Sequence, residues 1–398
     1  MSAPTRLRGR PLADDIVASV RSDLDYLRSH GVAPTLGTVL MSDDEAAVSF
    51  MDRKHERCRE LGVATKRIDC APDEPAGALY DAVERLADDD EVTALFVQVP
   101  LPDHVDAARV RERVPPEKDV DCFAHQNLGR LVSGDPRVVP ATTAAVFRLL
   151  EGYDIETPGS DAVVVGRTNA IGKPVANRLL ARGGRGDATV CHTATADLAA
   201  VTRRADILVT AAGTPHLVDG SMVSSGVAVV DVSVNRVPAD MKRGYELVGD
   251  VDAESVGEKA SAITPVPGGV GPLTLACMLR NVVDLGRGRP DSTPPNWEIR
   301  SDYCPGSETV SRSPVRSSPA PSGSGSTATV LASVRRSGSA TDARANTVPF
   351  RTLSSTAAVA STVRSAAETA TASVPWIPRP SASSGCSRTV SSPTSRSP

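Results

Sequence analysis

The sequence predicts an α/β protein of two domains, an N-terminal α/β domain and a Rossmann-like doubly wound domain, followed by a disordered C-terminal tail. Apolar runs of strand type alternate with segments of helical periodicity over roughly the first 286 residues, an order typical of a mainly parallel sheet. With 398 residues, the chain is long enough for two domains and a sizeable core. Beyond about residue 286 the hydrophobic patterning ends and the composition changes abruptly.

The elements of the first domain, residues 1–143, follow from apolar spacing and turn residues. Apolar side chains recur every three or four positions ahead of Gly31 and again ahead of Gly62, which predicts two helices that end at glycines. In chain order we expect a helix over 12–27, a strand over 35–41, a helix over 44–61, a strand over 64–69, a helix over 75–87 and an apolar strand within 92–102.

Three polar side chains of this domain are candidates for chemistry. Lys54 lies one helical turn after Phe50 on the same face, and a lysine in this setting usually extends its ammonium group to water. Gln98 lies at the end of the apolar strand, where ligands of open α/β sheets collect. Asp121 follows in a loop-like segment with Asp119, and both carboxylates could be merely solvated there.

Residues 144–270 are expected to form a second α/β unit that binds a dinucleotide. Its predicted elements are a helix over 144–151, strands over 162–165, 188–191, 207–211 and 227–232, and a helix over 171–182. Gly166 ends a run of valines, and the helix that follows would point its N-terminal amides at an anion. The G-x-G-x-x-G spacing is absent, so these residues alone fit an ordinary strand-to-helix turn equally well.

A glycine-rich turn precedes the last predicted helix, which covers 271–286 as the completion of the first domain. Residues 267–272 read Pro-Gly-Gly-Val-Gly-Pro. Three glycines and two prolines make a stiff turn with exposed amides, which suits a ligand held close to the backbone.

Charge and cysteine content exclude several classes of function. Within residues 1–290, 42 acidic residues outnumber 33 Lys and Arg, which argues against nucleic-acid binding there. The seven cysteines are widely spaced without a C-x-x-C pair, so no metal site and no disulfide framework are predicted. The first residues lack an apolar stretch and no later segment reaches the length of a membrane span, so we expect a cytoplasmic protein without a membrane partner.

Residues 287–398 are rich in Ser, Thr, Ala, Arg and Pro. Such a segment cannot bury enough apolar surface to offset its ordering entropy, so we predict disorder. The abrupt change also fits an out-of-frame translation of GC-rich DNA. An Arg-rich tail that binds nucleic acid or a partner is the remaining alternative.

Six motifs are spread over the first 286 residues or so. They are Val97-Gln-Val-Pro-Leu-Pro102, Lys118-Asp-Val-Asp121, Asn127-Leu-Gly-Arg-Leu131, Gly166-Arg-Thr-Asn-Ala-Ile-Gly-Lys-Pro174, Asp231-Val-Ser-Val-Asn-Arg236 and Ile263-Thr-Pro-Val-Pro-Gly-Gly-Val-Gly-Pro-Leu-Thr274. In this order they resemble the methylenetetrahydrofolate dehydrogenase/methenyltetrahydrofolate cyclohydrolase family over its whole length.

This resemblance implies a homodimer with an active cleft between the two domains of each chain and a last helix that returns to the first domain. The implied reaction is oxidation of 5,10-methylenetetrahydrofolate by NADP, then hydrolysis of the methenyl cation to 10-formyltetrahydrofolate. By position, Lys54 would be the catalytic lysine, Gln98 the glutamine that holds it and Asp121 the aspartate that binds the pterin. The substrate contacts implied are Phe50, Val99, Pro267, Gly268, Gly269, Val270 and Gly271. The cofactor contacts implied are Gly166, Arg167, Thr168, Gly172, Thr193 and Val234.

The choice of NADP over NAD depends on two of these positions. Arg167 and Thr193 fall where similar proteins hold a 2′-phosphate, and a guanidinium group can bind that phosphate in a bidentate way. The alternative for Arg167 is a solvated side chain in a turn.

Several positions depart from the family's pattern. Phe50 replaces a tyrosine, Cys122 a glycine, Thr168 a serine and Ser233 a glycine, and Pro140-Ala-Thr-Thr143 replaces Pro-Cys-Thr-Pro. Several of these positions lie on the folate side of the cleft. They leave open a divergent paralogue with weak or altered activity, one that acts on a methanopterin-type carrier, or one that binds folate without turning it over.

Overall fold

The computed structural model describes residues 3–181, 186–241 and 244–288. Residues 287–398 lie outside the described residues, except for the first two positions. The predictions of disorder, of a frameshift and of a binding tail all concern this segment. All described residues belong to one compact unit.

A three-stranded parallel sheet forms the N-terminal part, in the order β3-β2-β4. Its strands are β2 (Thr35–Met41), β3 (Ala64–Cys70) and β4 (Ala94–Val97). The helices of this part are α1 (Gly9–Ser29), α2 (Glu45–Glu60), α3 (Ala76–Ala87), α4 (Ala107–Arg111) and α5 (His125–Val132). The predicted alternation is confirmed, although the apolar strand is shorter than expected because two prolines follow it.

A six-stranded parallel sheet forms the second part, in the order β1-β11-β8-β7-β5-β6. Its strands are β1 (Thr5–Arg6), β5 (Asp161–Val165), β6 (Asp187–Cys191), β7 (Ile207–Thr210), β8 (Ala228–Asp231) and β11 (Ala262–Ile263). The chain leaves β5 first toward β6 and then returns to β7 on the other side. This reversal creates a crevice beyond the carboxyl ends of the strands, where dinucleotides bind in doubly wound sheets.

Several elements of the second part follow no clear apolar period and were not predicted. They are the antiparallel hairpin of β9 (Asn235–Pro238) and β10 (Tyr245–Val248), and the short helices α8 (Leu198–Thr202) and α9 (Ala253–Gly257). Strands β1 and β11 have only two residues each. They form because they pair with each other across more than half of the chain's length. Pairing of such distant segments is a tertiary effect that local spacing does not encode.

Three helices from distant parts of the sequence share one core. These are α1, α6 (Ala141–Gly152) and α10 (Val270–Gly286), whose buried faces form one apolar cluster with residues of β2, β5 and β8. The last helix therefore packs on the first one, as the resemblance implies, while α7 (Gly172–Leu180) covers the six-stranded sheet beside β5. Among the described helices, none combines the length and the apolar character needed to cross a bilayer.

Candidate active site

The side chain of Lys54 is buried between two aromatic rings. Its helix α2 begins after Asp44, whose side chain accepts a hydrogen bond from the amide of Ala47 at 2.8 Å. Lys54 is 2% exposed, and its Nζ lies 3.9 Å from the ring centre of Phe50 and 3.8 Å from that of Phe96. The expectation that this lysine extends to water is wrong, because β4 and its aromatic ring cover the end of the side chain.

Gln98 fixes the position of the Lys54 amine. Lys54 Nζ donates a hydrogen bond to Gln98 Oε1 at 3.1 Å, and Gln98 Nε2 donates to the carbonyl oxygen of Val99 at 2.7 Å. The second hydrogen bond orients the amide so that its oxygen faces the lysine. Phe96 was missed in the sequence, although it lies two residues before Gln98 and therefore on the same face of the strand.

Burial changes the proton affinity of this lysine. Removal from water lowers the pKa of Lys54 to about 7, while the negative charge of Asp121 acts in the opposite direction. A lysine in this range exchanges protons near neutral pH, which is the property that a general acid or base needs.

Asp121 lies at the N-terminus of α6, close enough to Lys54 for their charges to interact. Its Oδ1 accepts a hydrogen bond from the amide of Ala141 at 2.7 Å, which is the first residue of that helix. Burial raises the pKa of Asp121 to about 6, and the Ala141 amide and the charge of Lys54 partly counteract this increase. The ionised form only accepts hydrogen bonds, so it suits paired N–H donors of a ligand.

Asp119 is not solvated, contrary to one expectation from the sequence. The residue is fully buried and accepts hydrogen bonds from the amides of Phe123 and Ala124 at 2.9 and 2.8 Å and from Asn127 Nδ2 at 2.9 Å. Burial raises its pKa, and the hydrogen bonds counteract the effect. Asp119 therefore shapes the loop that presents Asp121.

A cavity of about 560 Å³ joins the Asp121 region to the loop of the second sheet that was predicted to bind the cofactor. Val99 and Asp121 line it on one side, and Thr168 to Ile171 line it on the other. Predicted substrate and cofactor residues thus face the same space, which is large enough to enclose part of a small-molecule ligand.

The loop after β5 can fit a dinucleotide only because two of its residues are glycines. Gly166 has a φ of +121°, and a Cβ there would lie 2.3 Å from the carbonyl oxygen of Ala211. A Cβ on Gly172 would lie 2.0 Å from the carbonyl oxygen of Gly166. The loop is therefore folded tightly at the N-terminus of α7, whose free amides suit a diphosphate.

Strand register places Arg167 and Thr193 just beyond the same end of two adjacent strands. Val165 of β5 pairs with Cys191 of β6, so Arg167 and Thr193 each lie two residues beyond a paired position. Both side chains are exposed, and Arg167 has no ion-pair partner among the described residues. Val234 is 55% exposed and follows the carboxyl end of β8, on the other side of the crevice.

Comparison with known proteins identifies this arrangement. Residues 7–121 match the model of the tetrahydrofolate dehydrogenase/cyclohydrolase catalytic domain, and residues 140–288 match that of its NAD(P)-binding domain. The bifunctional protein FolD of Natronomonas pharaonis is 50% identical over 277 residues, which cover 69% of this chain and 93% of that protein. FolD of Haloquadratum walsbyi is 49% identical over 275 residues, or 68% and 88% of the two chains. The chain belongs to the tetrahydrofolate dehydrogenase/cyclohydrolase family.

Solved structures of the family have the same fold. The Trypanosoma brucei N5,N10-methylenetetrahydrofolate dehydrogenase-cyclohydrolase, solved with NADP cofactor and inhibitor, is 33% identical with a TM-score of 0.69, covering 72% of this chain and 99% of that one. The bifunctional enzyme FolD from Campylobacter jejuni is 37% identical with a TM-score of 0.66 over the same shares of the two chains.

The glycine-rich turn of this family member is tied to α1. Gly268 has a φ of +112°, and its carbonyl oxygen accepts a hydrogen bond from the amide of Gly9 at 3.0 Å. The turn leads directly into α10, which begins at Val270. Contact of Pro267 to Gly271 with the substrate stays a prediction.

The departure at Cys122 has a structural consequence. Cys122 has a φ of +57°, a conformation that a glycine adopts without a penalty and other residues only at a cost of about 1–3 kcal/mol. Its side chain is buried in a cluster with Leu131, Val138 and Val139, which offsets part of that cost. The residue after Asp121 thus has a left-handed conformation that a glycine would adopt more easily.

Proposed function

We propose that this protein oxidises 5,10-methylenetetrahydrofolate to 5,10-methenyltetrahydrofolate with NADP and hydrolyses that product to 10-formyltetrahydrofolate. The single observation that carries the proposal is the buried Lys54, whose amine is held by Gln98 and interacts with Asp121. A lysine with a pKa near 7 can transfer protons at neutral pH, and buried lysines with shifted pKa values are found mostly at functional sites.

In the dehydrogenase step, the residues of this chain align the reactants. Bound NADP would supply the acceptor of the hydride, so no protein acid is needed for that transfer. Gly166 and Gly172 let the backbone approach the diphosphate, and Arg167 and Thr193 would hold the 2′-phosphate. Asp121 would accept hydrogen bonds from the pterin, which places the folate in the cavity that Thr168 lines from the cofactor side.

In the cyclohydrolase step, Lys54 would move a proton. Neutral Lys54 accepts one proton from the water that attacks the methenyl carbon, and the ammonium form returns it to the nitrogen that leaves when the ring opens. The remaining hydroxyl proton of the adduct is released to solvent as the formyl C=O bond forms. The cationic substrate favours the neutral form of the amine before the attack. Gln98 keeps the Nζ atom in place through the hydrogen bond of 3.1 Å.

A direct assay tests the proposed function. Purified protein with NADP and methylenetetrahydrofolate should form methenyltetrahydrofolate, seen by its absorbance, and then 10-formyltetrahydrofolate. Nothing in the comparisons favours a non-catalytic or altered-specificity relative. An absence of turnover at every salt concentration would nevertheless reject the enzyme and leave a folate- or pterin-binding protein.

Phe50→Tyr should raise the cyclohydrolase activity more than the dehydrogenase activity. The Phe50 ring lies 3.9 Å from Lys54 Nζ, so a hydroxyl group on it would be added close to the proton relay. Stacking of the ring on the substrate, worth about 0.5–1.5 kcal/mol for an aromatic pair, is present in both variants. Both half-reactions should be measured in wild type and variant, and an equal change in the two would show that the hydroxyl has no separate role in hydrolysis.

The homodimer and the cytoplasmic location are further parts of the proposal. Membership of the family supports both, and the excess of acidic residues in 1–290 favours a small-molecule substrate over nucleic acid as the binding partner. Sedimentation of the purified protein would measure the oligomeric state directly.

A further inference from the structure

Asp250 is a buried carboxylate with a concentrated set of hydrogen bonds. It is 0% exposed and follows the hairpin of β9 and β10. Its oxygens accept from the amides of Ala212, Gly213 and Thr214 at 2.6, 3.2 and 2.8 Å. They also accept from Ser233 Oγ at 2.7 Å and from Asn235 Nδ2 at 3.1 Å.

These donors come from two different loops. The three amides belong to the turn after β7, and the two side chains belong to the segment after β8 that contains Val234. Ser233 strengthens the link, because its hydroxyl oxygen also accepts a hydrogen bond from the amide of Gly213 at 3.2 Å. One carboxylate and one hydroxyl group therefore hold the two loops together.

Both loops follow the carboxyl ends of the adjacent strands β7 and β8, the end of the second sheet at which the crevice lies. The turn after β7 starts at Ala211, whose carbonyl oxygen packs against Gly166. A Cβ on Gly166 would lie 2.3 Å from that oxygen. Arg167 follows β5 and Thr193 follows the neighbouring β6, so the 2′-phosphate end of the cofactor would lie at this pair of strands. The nicotinamide end is then directed toward β7 and β8.

We propose that Asp250 and Ser233 are positioning residues for the nicotinamide half of NADP. Neither needs to touch the cofactor, because they act through the backbone of 212–214 and through the segment around Val234. This inference rests on the proposed function for the identity of the cofactor. It adds a specific role for Ser233, one of the positions where the sequence departs from the family's glycine.

Ser233→Ala and Asp250→Asn test the inference, with NADP binding measured by isothermal titration calorimetry. Loss of one neutral hydrogen-bonding group predicts about three- to tenfold weaker NADP binding for Ser233→Ala, and a larger loss for Asp250→Asn. The KM for NADP should rise in step, and the dehydrogenase rate should fall more than the cyclohydrolase rate. Ser224→Ala is the matched control. The Ser224 hydroxyl donates to the carbonyl oxygen of Arg203 at 2.6 Å, and Ser224 precedes β8, at the end of the strands opposite to the crevice.

The melting temperatures of the two variants show whether weaker NADP binding comes from displaced loops or from a destabilised fold. Asp250→Asn could fail to fold, and Ser233→Ala then decides alone. NADP binding within twofold of wild type in Ser233→Ala would overturn the inference, as would an equal loss of both half-reactions. A wild type that binds NADP but oxidises no methylenetetrahydrofolate would reject the proposed function instead, and the binding comparison would still decide the role of Ser233.

Discussion

Lys54→Ala is expected to lower the cyclohydrolase rate by about 10²–10⁴-fold, the usual contribution of a general acid–base group. The variant removes the only amine that Gln98 holds in the described part of the site, and no other lysine of that part replaces it. Hydride transfer depends mainly on alignment, so the dehydrogenase rate should fall less. The measurement follows the decay of methenyltetrahydrofolate absorbance and, separately, its formation with NADP.

Lys66→Ala is the matched control for this variant. Lys66 lies on β3 and pairs with the carboxylates of Asp89 and Glu91 at 2.5 and 2.6 Å, away from the aromatic rings around Lys54. Its loss should change neither half-reaction by more than about twofold, because its partly exposed ion pairs contribute little to stability and its amine lies outside the proposed proton relay. If Lys54→Ala retained the cyclohydrolase rate of this control, Lys54 would have no role in the proton relay.

The same lysine predicts the pH dependence of hydrolysis. Burial lowers the pKa of Lys54 to about 7, so the amine is mostly protonated below that pH and mostly neutral above it. Because the neutral form accepts the proton from water, the wild-type kcat/KM for cyclohydrolysis, which reports the free enzyme, should rise through about pH 7 and then level off. A flat profile between pH 6 and 8, with folded protein throughout, would argue against this assignment.

Arg167→Ala is expected to weaken NADP binding by about 1.5–3 kcal/mol, or roughly 10- to 150-fold, as for a hydrogen bond to a charged group. Binding of NAD, which lacks the 2′-phosphate, should change by less than about threefold. The exposed guanidinium of Arg167 has no carboxylate partner among the described residues, and the register of β5 and β6 places Arg167 and Thr193 just beyond the same end of these strands. Titration of both cofactors measures the difference.

Arg204→Ala provides the control for Arg167→Ala. Its guanidinium pairs with Asp161 at 3.1 Å at the start of β5, the opposite end of the strand from the crevice. This variant should bind NADP and NAD as the wild type does. An equal loss of NADP and NAD affinity in Arg167→Ala would remove the residue from the phosphate site.

Local features of the sequence were sufficient for much of the fold. The period of apolar residues predicted α1, α2 and α3, and the valine run before Gly166 predicted β5, because these patterns reflect one buried face or a strand covered on both faces. One of the six motifs contains Gln98, and the resemblance that the motifs carry assigned Lys54 by its position in the chain. The pairing of these two side chains depends on the packing of α2, which carries Lys54 in its interior, beside the end of β4, which Gln98 follows.

Tertiary structure alone decided the environments of the charged side chains. The residues around Lys54 by themselves favoured a solvated amine, and only the resemblance to the family favoured a catalytic one. The ring of Phe96 from β4 covers the amine, and the low pKa results from that burial. Asp250 likewise resembles a surface acid until distant loops supply its hydrogen-bond donors, whereas Asp119 is buried with donors from the residues that follow it. Desolvation depends on atoms that the chain brings together from far apart, so the sequence determined which groups are present and the packing determined their proton affinity and their role.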